Sequence, residues 1–150
     1  MHRIRPWLLI GNYRETLDQN LLAANQIGAL LHLAAPVRPP GITSCYLPVE
    51  DGEPLDPAML QQGVAFVLAQ RAAGSAVLVA CGAGISRSTS FAIAALKEAE
   101  GLSLIDAARI VRRAHPDGMP HPVLWDSLCA YYGEQHNYLT LVRAHEPTGQ

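Results

Sequence analysis

The residues with the most chemical potential stand in one short stretch, Val79-Ala-Cys-Gly-Ala-Gly-Ile-Ser-Arg-Ser88, where five residues separate Cys81 from Arg87. Gly82 and Gly84 admit backbone conformations closed to other residues, so the N–H groups of Gly82, Ala83, Gly84, Ile85 and Ser86 can converge on one point as an anion nest. A helix opening at Arg87 would aim its positive end at the same point. The guest that suits such a nest is a phosphate dianion, and sulfate or vanadate has the same shape. Cys81 beneath it would feel the same dipoles, which favour thiolate over thiol and make it a nucleophile. Arg87 offers a planar fork for two equatorial phosphoryl oxygens, and Ser88 brings a hydroxyl close enough to steady the sulfur as a leaving group.

Alone, a cysteine and an arginine at this spacing are a weak signal; their setting strengthens it. Ala76 to Ala80 is an unbroken apolar run after Gly74-Ser75, as expected of a central strand buried on both faces, with Cys81 at its carboxyl end. Arg87 to Glu100 is rich in Ala, Leu and Ile and stops at Gly101, which predicts a buried helix starting where the glycine-rich loop closes. Cleaving a phosphate ester also requires a proton donor for the departing oxygen, carried on a loop that reaches over the nest. Tyr46-Leu-Pro-Val-Glu-Asp-Gly-Glu-Pro-Leu-Asp56 supplies four carboxylates. Asp51, beside Gly52 at the end of a predicted strand, is the candidate; Glu50 is its nearest rival, and Asp56 reads as the N-cap of the next helix.

Around these residues the pattern predicts further strands over 7–10, 29–34 and 42–49 and helices over 15–26 and from Pro57 to near Gly74. Ser103-x-x-Asp106 resembles a capping box for a helix that buries Leu104, Ala107, Ala108 and Val111 and turns Arg109, Arg112 and Arg113 outward. A last helix is expected over 123–141, and 147–150 as a frayed tail, leaving a single domain over 1–146.

Composition narrows the partners. A chain of 150 residues, nearly half apolar, forms one core. A net charge of -2, with no basic cluster beyond Arg112-Arg113, argues against nucleic acid or a polybasic membrane anchor. The continuous apolar run before Gly11, Trp7 to Ile10, is only four residues long, too short for a secretory signal or a spanning helix, so a cytoplasmic protein is expected. Cys45, Cys81 and Cys129 form no disulfide framework or metal knuckle, and the six histidines show no zinc spacing, so neither metal nor cofactor is expected.

Four segments carry a resemblance: Ile4-x-Pro6-x-Leu8-x-Ile10-Gly11-Asn12, Tyr46 to Asp51, Cys81 to Ser88, and Pro120-His-Pro122. In order and spacing the chain resembles, over nearly its whole length, the dual-specificity phosphatases, the compact branch of the protein tyrosine phosphatase superfamily. The resemblance implies an α/β fold with a four- or five-stranded mixed sheet flanked by helices. It implies Cys81 as nucleophile, Arg87 binding phosphate, Ser88 assisting the second step, and Asp51 protonating the leaving oxygen and then activating water, with no metal. It also implies that Asn12 braces the phosphate-binding loop through hydrogen bonds.

Two positions depart from the family. The family's His before the nucleophile is Ala80 here; that His orients the loop and helps keep the sulfur ionised, so a less favoured thiolate is expected. This leaves, as the alternative, a phosphate-binding pseudophosphatase with weak or no turnover. His121 stands where many relatives have Asn, and reads as a surface loop residue. Relatives that favour inositol phospholipids place lysines in the loop, which here carries no positive charge before Arg87. The expected substrates are therefore phosphotyrosine or phosphoserine/phosphothreonine on proteins. Sulfur transferases, which lack the upstream acid, and arsenate reductases, which carry the loop near the amino terminus, fit less well.

Overall fold

A computed structural model describes residues 1–144. The elements are β1 (His2–Arg5), β2 (Leu8–Gly11), α1 (Tyr13–Thr16), α2 (Gln19–Ala24), β3 (Ile27–His32), β4 (Thr43–Tyr46), α3 (Pro57–Ala72), β5 (Ala76–Ala80), α4 (Arg87–Glu100), α5 (Leu104–Ala114), α6 (Pro122–Tyr132) and α7 (Tyr138–Val142). They build a five-stranded mixed sheet in the order β1-β2-β5-β3-β4. Only the β1–β2 pair is antiparallel.

The apolar run of β5 earns its central place: Val77, Leu78 and Val79 are fully buried between the two faces. Val77 and Val79 pack with Val64 and Val67 of α3 and Ile93 of α4, while Leu78 and Ala80 face Leu9, Leu22 and Leu30 on the other side. The register sets Gly11 and His32 on either side of Ala80, so three parallel strands end together. That edge is where open α/β sheets bind their ligands.

Local signals place several elements as expected. Asp56 caps α3 by accepting from the Ala58 amide with Pro57 at the first turn, Ser103 caps α5, and Gly101 ends α4 in the left-handed region at φ 65°. The helix predicted over 15–26 is two short ones, because Asn12 and Asp18 each cap a new start through their own side chains. The long final helix likewise stops at Gly133, with φ 65°, and restarts under an Asn137 cap. Strand β1 was not anticipated, since an edge strand that buries only Ile4 has little apolar alternation to read.

Arg112 corrects a further expectation. Instead of facing out it is 6% exposed, and its guanidinium donates to the carbonyls of Gly118, Leu141 and Val142. The tail expected over 147–150 lies outside the described residues.

Candidate active site

The loop from Cys81 to Ser86 closes the carboxyl end of β5 and opens α4. Gly84 has φ +72°, and a Cβ there would meet the Gly11 carbonyl carbon and oxygen at 2.9 Å, so only glycine fits against the end of β2. Three loop carbonyls are held from outside the loop. The Tyr13 amide donates to Gly82 O at 3.0 Å, His115 Nε2 lies 2.7 Å from Gly84 O, and the Met119 amide donates to Ile85 O at 2.9 Å. In a trans peptide the following N–H points opposite to the carbonyl, so the amides of Ala83, Ile85 and Ser86 turn away from those anchors. An anion nest requires that orientation.

Ser86 occupies the N-cap position of α4 but makes no side-chain cap. Its hydroxyl donates to Asp51 Oδ1 at 2.7 Å and accepts from the His121 amide at 2.8 Å. The first amides of α4 are thereby left for a ligand, and the carboxylate of Asp51 is tied to the loop. Cys81 Sγ and Ser88 Oγ, both buried, are hydrogen-bonded at 3.2 Å. Arg87 donates to Val49 O at 3.0 Å, which joins the segment just before Asp51 to the same loop, and its other terminal nitrogen passes over Gly82.

Comparison with known proteins identifies the family. The family model for the dual specificity phosphatase catalytic domain matches residues 8–134. This chain belongs to that family. As a dual specificity phosphatase it is a protein phosphatase, a hydrolase. It is 32% identical to human dual specificity phosphatase 28 over 133 residues, 86% of this chain and 76% of the relative. It is 35% identical to human dual specificity protein phosphatase 16 over 79% of this chain, which spans only 19% of that longer relative. The crystal structure of human dual specificity phosphatase 28 superposes with a TM-score of 0.83 at 30% identity, covering 89% of this chain and 96% of that one. A mouse putative dual specificity phosphatase, solved with zinc tungstate, gives 0.81 at 30% identity over 87% and 84%.

The other expected site residues of this phosphatase fall as follows. Asn12 stands beside the loop, but its Oδ1 accepts from the Glu15 amide to cap α1, and the bond to the loop comes from the Tyr13 backbone instead. Glu50 and Glu53 are exposed, and Asp56 is occupied as a cap. Ala80 is fully buried, and its strand partner His32 is too. The Nδ1 of His32 accepts from the amides of Ala34 and Ala35, so any ring proton sits on Nε2, which has no partner. Burial, and secondarily the charge of Arg87, pushes the His32 pKa down to about 4. His121 is more than a surface residue: its Nδ1 caps α6 at the Val123 amide, and its ring lies over Gly52 beside Asp51.

Sequence reasoning missed His32, His115 and the bond between Ser86 and Asp51. For His32 a signal existed, a polar residue closing an otherwise apolar strand. His115 offered none, since a histidine before Pro116 reads as a loop residue until the chain folds. Among the described residues no cluster of three or more His, Cys, Asp or Glu could hold a metal, and no helix is long and apolar enough to cross a membrane.

Proposed function

We propose that this phosphatase hydrolyses phosphotyrosine and/or phosphoserine/phosphothreonine esters on proteins through a phospho-cysteine intermediate at Cys81. The observation that carries the reading is the meeting of Cys81, Ser88, Arg87 and Asp51 around one loop whose carbonyls are turned outward. In the first step the Cys81 thiolate attacks phosphorus while the bond to the ester oxygen breaks, and Asp51 gives that oxygen its proton. The loop amides of residues 82–86 and the Arg87 fork stabilise the charge on the equatorial oxygens. In the second step Asp51 takes a proton from water as the water oxygen attacks phosphorus. The S–P bond then breaks, and the departing thiolate receives a hydrogen bond from Ser88.

Tyr13 beside the loop and Ile85 within it, each 41% exposed, present apolar surface, and residues 82–86 bring no cation. That surface favours a peptide-borne phosphate over a polyphosphorylated headgroup, and the neutral composition of the loop gives nucleic acid and anionic membranes no purchase. The alternative, a phosphate-binding pseudophosphatase, draws on Ala80. It leaves unexplained why Ser88, needed only for turnover, is hydrogen-bonded to the sulfur while Asp51 is tied to the same loop through Ser86.

The deciding experiment is phosphate release from phosphopeptides by the wild type, Cys81→Ser and Asp51→Asn, with acid-quench trapping of the phosphoenzyme. The expected result is no turnover in Cys81→Ser, and a phosphoenzyme in the wild type. Absence of both turnover and trapped phosphate in the wild type would leave the pseudophosphatase reading.

A further inference from the structure

The three outside anchors of the phosphate loop differ in kind. Those on Gly82 O and Ile85 O are backbone amides, whereas the one on Gly84 O is the His115 side chain. His115 is buried, in the turn that follows α5. A carbonyl oxygen only accepts, so Nε2 must carry the ring proton, and Nδ1 is left without a partner. The ring has little freedom. It stacks on His2 at 3.8 Å between centroids and 19° between planes, and a Cβ on Gly118 would fall 2.6 Å from its Cδ2. The turn that carries it is pinned in turn by Arg112, which donates to Gly118 O and Pro116 O.

We propose that His115 is a positioning residue for the phosphate site. Its Nε2–H fixes the Gly84–Ile85 peptide so that the Ile85 amide faces the bound phosphoryl group. The inference rests on the phosphatase reading for the identity of the ligand, but the geometry it invokes concerns anion binding alone. Gly84, at φ +72°, lies in a region where glycine meets little torsional resistance, so without an outside donor this peptide can rotate and remove one amide from the nest.

The test uses the whole chain and two substitutions: His115→Leu, which removes the donor, and His115→Gln, whose amide nitrogen reaches a place close to Nε2. Tungstate binding by calorimetry and melting temperature are measured for each, together with the rate of Cys81 alkylation by iodoacetate at fixed pH. The expected result is about tenfold weaker tungstate binding and slower alkylation in His115→Leu, with both largely restored in His115→Gln. Unchanged tungstate affinity in a folded His115→Leu would overturn the proposal. So would equal loss in both variants in step with melting temperature, which would make the ring a packing element only. Because calorimetry needs no turnover, the two readings separate. A chain that binds tungstate with donor dependence but hydrolyses nothing keeps the role of His115 and removes the phosphatase mechanism; a chain that hydrolyses phosphopeptides equally well with and without the donor does the reverse.

Discussion

Replacing Ser86 by alanine should separate proton donation from phosphate binding. The Ser86 hydroxyl makes the one hydrogen bond that ties Asp51 to the phosphate loop, at 2.7 Å, and it accepts from the His121 amide at 2.8 Å. A hydrogen bond to a carboxylate is stronger than a neutral one, but Asp51 is exposed, so about 1–1.5 kcal/mol is the appropriate scale. Removing it should lower the fraction of molecules with the acid in place by roughly five- to tenfold. Complete loss of a general acid costs about a hundredfold or more, so Ser86→Ala should be milder than Asp51→Asn. The assay is kcat/KM across a series of aryl phosphates of rising leaving-group basicity. Esters of basic phenols, whose oxygen requires a proton, should fall five- to tenfold, while p-nitrophenyl phosphate should change little. Ser86→Thr should restore the rate, and Ser86→Ala should add nothing in an Asp51→Asn background. A uniform drop across the series would mean damage to the loop itself and would refute the argument.

Other consequences concern buried groups. His32 stays neutral in the fold to about pH 4, whereas the unfolded chain protonates it near 6.5. The unfolded state therefore binds more protons between those values, and stability should fall by up to about 3 kcal/mol as pH drops from 6.5 to 4. His32→Asn, which keeps an acceptor for the Ala34 and Ala35 amides but does not titrate, should flatten that dependence in urea melts taken at each pH. Ala80→His should destabilise by about 1–3 kcal/mol through overpacking, because Ala80 is fully buried beside His32, and His32→Ala should relieve the loss when combined with it. If the double variant is no more stable than Ala80→His alone, the two positions do not share that space. Arg112→Met should cost about 2–4 kcal/mol in denaturant unfolding, since it strips donors from the carbonyls of Gly118, Leu141 and Val142. A change under 0.5 kcal/mol would show that water replaces the guanidinium.

Much of this protein is readable from its residues alone, for a physical reason. The Cys81–Ser86 loop between a buried strand and a buried helix, the Asp56 and Ser103 caps and the Gly101 stop depend on interactions within a turn or two of chain, which local sequence encodes. Where local signals competed, as at Asn12 and Asp18, the short side chain that could cap a new helix overrode the longer apolar pattern. Tertiary structure decided the contacts between distant segments. Asp51 meets Ser86 across 35 residues, His115 meets Gly84 across 31, and Arg112 reaches Leu141 across 29. No local propensity distinguishes an arginine that faces water from one that satisfies buried carbonyls, or a loop histidine from one that orients a phosphate-binding amide. Those roles exist only once parallel strands end at a common edge and the turn between α5 and α6 is folded back onto it.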